Sequence, residues 1–148
     1  MKTTDELIEN KIIQAVKKLL TGTVNQILDK AEFVIPILEC EEYSSSFEIT
    51  PIIELFNCER QEKERILMLD TYALTISFEL NETQDSQLHC YAYSGALGKA
   101  IYDDPTLGGV VDRVSIAGKK YITPKKPNCG GKWGLIVSLR ISVEGINK

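Results

Sequence analysis

The sequence predicts an α+β fold, with a mostly antiparallel sheet and two main helices packed on one face. Two segments with helical spacing of apolar residues are separated by strand-like segments, and two more strand-like segments follow the second helix. Strands grouped in this way, without regular alternation with helices, favour an antiparallel sheet. The length of 148 residues, with 43% hydrophobic and 26% charged residues, fits a single domain covering residues 1–148.

The N-terminal segment predicts a helix over about Thr4–Leu20. Thr3 and Glu6 have the spacing of a capping box, in which each side chain bonds to the backbone of the other residue. Apolar residues then recur every three or four positions, as in an amphipathic helix: Leu7, Ile8, Ile12, Val16, Leu19 and Leu20. Because Gly22 follows the last of these, we expect the helix to end at Thr21–Thr23.

Three strands are predicted in the first half. Short β-rich runs cover Phe33–Leu38 and Pro51–Phe56. Each run contains a proline, which has no amide hydrogen to donate, so we expect both at a sheet edge or a strand start. The polar run Asn57–Arg65 predicts an exposed turn or hairpin tip. Residues 71–80 alternate between polar and apolar side chains, which predicts a strand with one buried face.

The second predicted helix covers Gln87–Tyr102, with Asp85 or Ser86 as its cap. It is rich in glycine, alanine and serine, which favours a close approach to the sheet or to a neighbouring subunit. A turn over Asp103–Gly109 follows, because a proline disfavours helical angles in the residue before it and the glycine pair permits left-handed backbone.

Two strands complete the predicted fold. Val114–Ile122 and Trp133–Glu144 have strand patterns, and the latter alternates apolar with polar residues. The Pro/Gly/Lys-rich loop Thr123–Lys132 connects them.

The four cysteines are too widely spaced to predict a zinc site, and free, mostly buried thiols are the expected state: Cys40, Cys58, Cys90 and Cys129. His89 is the only histidine and adjoins Cys90. Neighbouring positions on a helix do not face each other, so the two residues do not predict a catalytic pair.

Two other segments weakly suggest ligand sites. Asn128–Lys132 lacks the glycine spacing and the final hydroxyl residue of a phosphate-binding loop, so a hairpin loop is favoured. Asp103, Asp104 and Asp112 lack the spacing of a metal site and suit a helix end and turn. We therefore expect no enzyme activity, no metal and no cofactor.

Charge is unevenly distributed along the chain. The net charge of −4 and the pI of about 5.1 argue against non-specific nucleic-acid binding. Acidic residues crowd the first half: Glu39, Glu41, Glu42, Glu48, Glu54, Glu59, Glu62 and Glu64. A later stretch has no intervening acid: Arg113, Lys119, Lys120, Lys125, Lys126 and Lys132. This asymmetry could steer unlike faces of two copies together, although solvated charged loops are an alternative explanation.

The order and spacing of these elements resemble those of the tail terminator proteins of long-tailed bacteriophages, including the Mu-like prophage group and lambda tail protein U. The resemblance covers essentially the whole chain. It includes the N-terminal helix, strand 51–56 with the polar excursion after it, strand 73–78, the helix ending at Ile101–Tyr102, the Asp-Asp-Pro-Thr-Leu-Gly-Gly turn and the closing hairpin with Gly131-Lys-Trp133. Two departures are the additional segment Phe33–Leu38 and the lysine-rich segment 119–132.

The resemblance implies a hexameric ring that caps the tail tube, ends its polymerisation and prepares the tail for head joining. Its partners would be other copies of itself, the tail tube protein and the head–tail connector. The expected location is the bacterial host cytoplasm, and the virion tail or neck after assembly. Another neck or tail-completion protein and a protein-binding adaptor unrelated to phages are the alternatives. No window predicts a membrane span or a secretory signal.

We expect subunit or tail-tube contacts in three places. These are the exposed edge of the 103–109 turn, the basic residues from Arg113 to Lys126, and Trp133. Heterologous contacts in a closed ring join two different patches, which unlike charges would suit. The aromatic candidate follows a glycine-rich loop, and aromatic residues are enriched at interfaces. The predicted contact residues are Thr106, Leu107, Arg113, Lys119, Lys120, Lys125, Lys126 and Trp133.

Overall fold

A computed structural model describes residues 8–30, 51–62, 67–81, 86–123 and 132–146, and it has the predicted α+β fold. The helices are α1 (Ile8–Leu19), α2 (Asn25–Asp29) and α3 (Ser86–Asp103), with a π-helical turn at Leu20–Val24. The strands are β1 (Ile52–Glu62), β2 (Leu67–Asn81), β3 (Arg113–Ile122) and β4 (Lys132–Ile146). No helix within these described residues is long and apolar enough to cross a membrane.

The four strands form one antiparallel sheet in the order β1-β2-β4-β3. The two central strands pair along their full length, from Leu67 opposite Ile146 to Asn81 opposite Lys132. Within the described part of the chain, β1 and β3 each pair on one side only, so they are the edge strands. Each edge strand has a register shift, at Phe56 in β1 and at Ala117 in β3.

One face of the sheet forms the hydrophobic core. Its buried central residues are Tyr72, Leu74, Ile76, Phe78, Leu80, Leu135, Val137, Leu139 and Ile141. Helix α3 packs on this face, where Tyr93 stacks on Phe78 with ring centroids 5.5 Å apart. Burial of each such large apolar side chain contributes about 1.5–3 kcal/mol to the stability of the fold. Because alternate residues of β2 and β4 are buried, the alternation predicted for these strands is confirmed.

Small residues allow α3 to lie close to the sheet. Ala96 and Ala100 are buried, and a β-carbon added at Gly98 would meet Ile116 Cδ1 at 3.7 Å. That distance is an ordinary van der Waals contact, and a β-carbon at Gly95 would meet nothing within 4 Å, so the close approach is set by the buried alanines. The packing of the helix as a whole offsets the low helix propensity of its glycines.

The predicted end of the first helix at Gly22 is wrong. After α1 the chain continues through the π-helical turn into α2, and Gly22 does not have the positive φ of a left-handed cap. Leu20, Val24 and Leu28 are all buried, so continued helical structure keeps this apolar stripe in the core. The predicted start of this helix and the strand Phe33–Leu38 lie outside the described residues.

The predicted turn at Asn57–Arg65 is also wrong for the part that the structure describes. Residues 57–62 continue β1 and pair with Met68–Ala73 of β2. Their side chains are exposed, so the polarity indicates an open edge strand and not a turn. Arg60 forms a two-pronged ion pair with Asp70, at 2.6 and 2.8 Å, which links the two strands across this section.

Candidate interaction surface

The turn between α3 and β3 is built from hydrogen bonds within itself. Gly108 and Gly109 have positive φ angles of 69° and 88°, as their sequence predicted. The Gly108 amide donates to Asp104 Oδ1 at 3.0 Å, and the Gly109 amide donates to Thr106 Oγ1 at 3.1 Å. The Val111 amide donates to the Thr106 carbonyl at 3.1 Å. These bonds satisfy the backbone of a segment that belongs to neither helix nor strand.

The prediction of an exposed edge at Leu107 is wrong. Leu107 also has a positive φ, of 52°, and only 4% of its surface is exposed. Its side chain belongs to the core, which holds the residue in a backbone conformation that costs an ordinary residue roughly 1–2 kcal/mol. Thr106 is half-buried and its hydroxyl is used inside the turn. Both residues therefore have structural roles that the sequence pattern did not predict.

The two lysines of β3 lie on opposite faces of the sheet. Lys119 is opposite Val137 on the helix-covered face, and its Nζ donates to the Ser94 carbonyl of α3 at 3.2 Å. The nearby Tyr121 hydroxyl lies 2.8 Å from Ser94 Oγ, within hydrogen-bond distance. Lys120 is opposite Ile136 on the other face of the sheet, which we call the open face. Of the two, only Lys120 lacks a hydrogen bond to α3 in the described structure.

The remaining predicted contact residues have different positions. Arg113 begins β3 and is exposed on the open face, where it is opposite Ser142. Trp133 is half-buried and packs against the core on the helix-covered face, opposite Leu80. Lys125 and Lys126 lie outside the described residues. Among the predicted basic contact residues that the structure describes, all three lie on the edge strand β3 and are exposed.

The other edge of the sheet carries opposite charge. Strand β1 contains Glu54, Glu59 and Glu62, all exposed, and a single arginine that is paired with Asp70. Strand β3 contains one arginine and two lysines and no acidic residue. The two edges of one sheet thus form an acidic edge (β1) and a basic edge (β3). Glu59 and Glu62 of this acidic edge lie in the segment that the sequence predicts as a turn.

Both edges also expose apolar side chains. Ile52 and Phe56 on the acidic edge are 56% and 63% exposed, and Ile122 at the end of the basic edge is 43% exposed. A groove of about 510 Å³ lies beside the basic edge, between the C-terminal half of α3 and the start of β3. Among the described residues, the backbone of each edge strand is unpaired on its outer side, and exposed apolar groups beside such backbone are characteristic of surfaces that pair with another chain.

A polar cluster lies where α1 meets the first hairpin. The Tyr72 hydroxyl donates to Glu9 Oε2 at 2.5 Å. Burial, followed by the hydrogen bond to this carboxylate, raises the pKa of Tyr72 well above its ordinary value. Cys58 is exposed, but partial desolvation of its thiol, followed by the negative charge of Asp70, likewise raises the pKa of this thiol. This environment keeps both groups protonated and joins the helix to β1 and β2.

Cys90 of α3, which adjoins His89, lies in an environment that disfavours a nucleophilic role. Cys90 is buried, its Sγ donates to the Gly134 carbonyl at 3.6 Å, and burial raises the pKa of its thiol. A raised pKa disfavours the thiolate that acts as the nucleophile. Within the described ranges there is also no group of three or more histidine, cysteine and acidic residues arranged to hold a metal ion.

No family model matches the chain, and no curated protein sequence is significantly similar to it.

Proposed function

We propose that this chain is a phage or prophage structural protein that assembles as a ring on the tail tube, ends tube polymerisation and prepares the tail for head joining. Its work is assembly and not catalysis. Its partners are other copies of itself, the tail tube protein and the head–tail connector.

The observation that supports this proposal is the pair of unlike edges on one sheet. An acidic edge and a basic edge lie on opposite sides of the same subunit, with three strand spacings between them. A subunit of this kind can bind the next copy head to tail, through two different patches. Such heterologous contacts generate a ring when the rotation between copies closes.

The resemblance in element order supplies the biological setting. The structure has a helical segment, a hairpin, a second helix, a tight turn and a closing hairpin. This is the order on which the resemblance to tail terminators rests. The unlike edges support a ring, and the resemblance is the reason for proposing that this ring has six subunits and caps a tail tube.

Electron microscopy of tails assembled with and without the protein tests the proposal. Over-long tubes of variable length in its absence, shortened to a uniform length when the purified protein is added back, are the expected result. Tails of normal length that lack heads would instead place the protein in the neck. Normal, head-joined tails in its absence would refute both functions.

A further inference from the structure

We propose that the ring interface is a continuation of the β-sheet, in which β3 of one copy pairs antiparallel with β1 of the next, with Lys120 opposite Glu54 and Ile122 opposite Ile52. This inference rests on the proposed ring and specifies its contact. The occupant of the basic edge is thus a second copy of this chain.

The direction of pairing follows from the topology. All neighbouring strands are antiparallel in the order β1-β2-β4-β3, so β1 and β3 run in opposite directions. When copies follow one another around an axis roughly parallel to the strands, β1 of the next copy lies antiparallel to β3. The helices of every copy then cover the same side of the shared sheet.

The register follows from which face each side chain occupies. Residues directly opposite in an antiparallel pair share a face. On β1, Ile52 and Glu54 are opposite Ser77 and Thr75 of β2, which places them on the open face. On β3, Lys120 and Ile122 are opposite Ile136 and Gly134, which places them on the same face.

Ile122 provides a direct check of this assignment. A β-carbon built on Gly134 would lie 3.2 Å from Ile122 Cβ, so the isoleucine side chain covers the glycine on the open face. Pairing Ile122 with Ile52 and Lys120 with Glu54 therefore joins residues of matching faces. In this register each of the ten residues of β3 lies opposite one of residues 52–61 of β1. The register shift at Ala117 of β3 then lies beside the shift at Phe56 of β1.

A register moved by two residues keeps the faces but loses the complementarity. It would place Ile52 opposite Lys120, and Ile122 would extend beyond the end of β1. Its one compensating pair would be Arg113 opposite Glu59. The chosen register buries two exposed isoleucines against each other and sets opposite charges directly across the strands, both of which stabilise a sheet.

Charge also disfavours the two symmetric alternatives. A two-fold dimer through β1 would bring together two edges that each carry Glu54, Glu59 and Glu62, and one through β3 would bring together two edges that each carry one arginine and two lysines. Like charges directly opposite destabilise a strand pair. Pairing of the acidic edge with the basic edge is the combination that avoids this repulsion at both edges.

A charge-reversal cycle on the full chain tests the register. Lys120→Glu and Glu54→Lys are each expected to weaken subunit association about tenfold per interface, because attraction is replaced by repulsion. The double variant is expected to restore association. Both side chains are exposed in the single subunit, so the circular dichroism spectrum should not change. Sedimentation analysis over a wide protein concentration range measures the association constants.

The matched control is the reversal of Arg113 and Glu59, separately and together. Rescue by the 120/54 pair that exceeds rescue by the 113/59 pair supports the proposed register. The opposite order, an unrestored double variant, or a protein that stays monomeric at all concentrations would overturn it. This failure is distinguishable from failure of the proposed function, because tails could still depend on the protein for their length.

Discussion

Replacement of Leu107 distinguishes a core residue from an interface residue. The sequence placed Leu107 at a subunit contact, whereas the structure buries it to 4% exposure in the turn after α3. We expect Leu107→Ala to destabilise the monomer and to leave the association constant per folded subunit unchanged. The physical reason is the loss of packing where the turn meets the hydrophobic core.

The magnitude follows from burial and backbone conformation. Leucine-to-alanine changes in cores cost about 2–5 kcal/mol, with the lower values where the site can relax. Leu107 also lines a groove of about 550 Å³ between α1 and the turn, so we expect a loss of about 2–3 kcal/mol. For a chain of this size that corresponds to a fall in melting temperature of about 4–12 °C.

The positive φ of Leu107 adds a second expectation. Alanine keeps the left-handed strain of roughly 1–2 kcal/mol, whereas glycine relieves it. Leu107→Gly should therefore be at least as stable as Leu107→Ala, which reverses the usual order within helices and strands.

Urea unfolding followed by the fluorescence of Trp133, the only tryptophan, measures these differences. Leu107→Met is the matched control, since it conserves volume and should cost less than about 1.5 kcal/mol. A loss below about 1 kcal/mol for Leu107→Ala, together with weaker subunit association, would refute the assignment of this residue to the core.

Three further predictions concern other parts of the fold. Gly109→Ala, at a φ of 88°, should destabilise by about 1–2 kcal/mol, whereas Gly22→Ala, with open space for its β-carbon, should stabilise by about 0.5–1 kcal/mol, both measured by urea unfolding. Because folding raises the pKa of Tyr72, the stability that the protonated hydroxyl contributes is complete below about pH 10 and declines as pH rises further. The free energy of unfolding, measured against pH, should therefore fall less steeply above about pH 10 in Tyr72→Phe than in the unaltered chain. An identical slope in the two proteins would contradict this. Lys119→Met should leave association unchanged while Lys120→Met weakens it, as measured by sedimentation; equal effects would contradict their placement on opposite faces.

The sequence predicted the strands in which apolar and polar residues alternate and one face is buried. The alternation of β2 and β4 identifies their core face directly, because the side-chain period of a strand matches the pattern. The glycine pair at 108 and 109 likewise predicted left-handed backbone. These are local signals, so a single sequence carries them.

The errors occur where tertiary structure overrides a local signal. Gly22 resembles a helix stop, but the burial of Leu20, Val24 and Leu28 keeps the chain helical beyond it. Residues 57–62 have no apolar face because both sides of β1 are exposed there, so a polar strand resembled a turn. Pairing with β2 supplies the stability that periodicity could not indicate.

The sequence predicted that the candidate interface is charged, but it did not predict where on the fold the charges lie. The sequence showed an acidic first half and a basic later stretch, but not that they occupy opposite edges of one sheet. Strand order alone determines that arrangement. The different positions of Lys119, which contacts α3, and Lys120, which lies on the open face, were also not predictable. The register shift at Ala117 changes which residues of β3 share a face, and the sequence does not show that shift.

Native mass spectrometry of the full chain at increasing ionic strength tests the central claim most directly. Head-to-tail pairing of unlike edges predicts one closed oligomer, of six subunits according to the resemblance, whose population decreases as salt screens the charges. A strictly monomeric protein at concentrations up to hundreds of micromolar, or a two-fold dimer insensitive to salt, would contradict the claim.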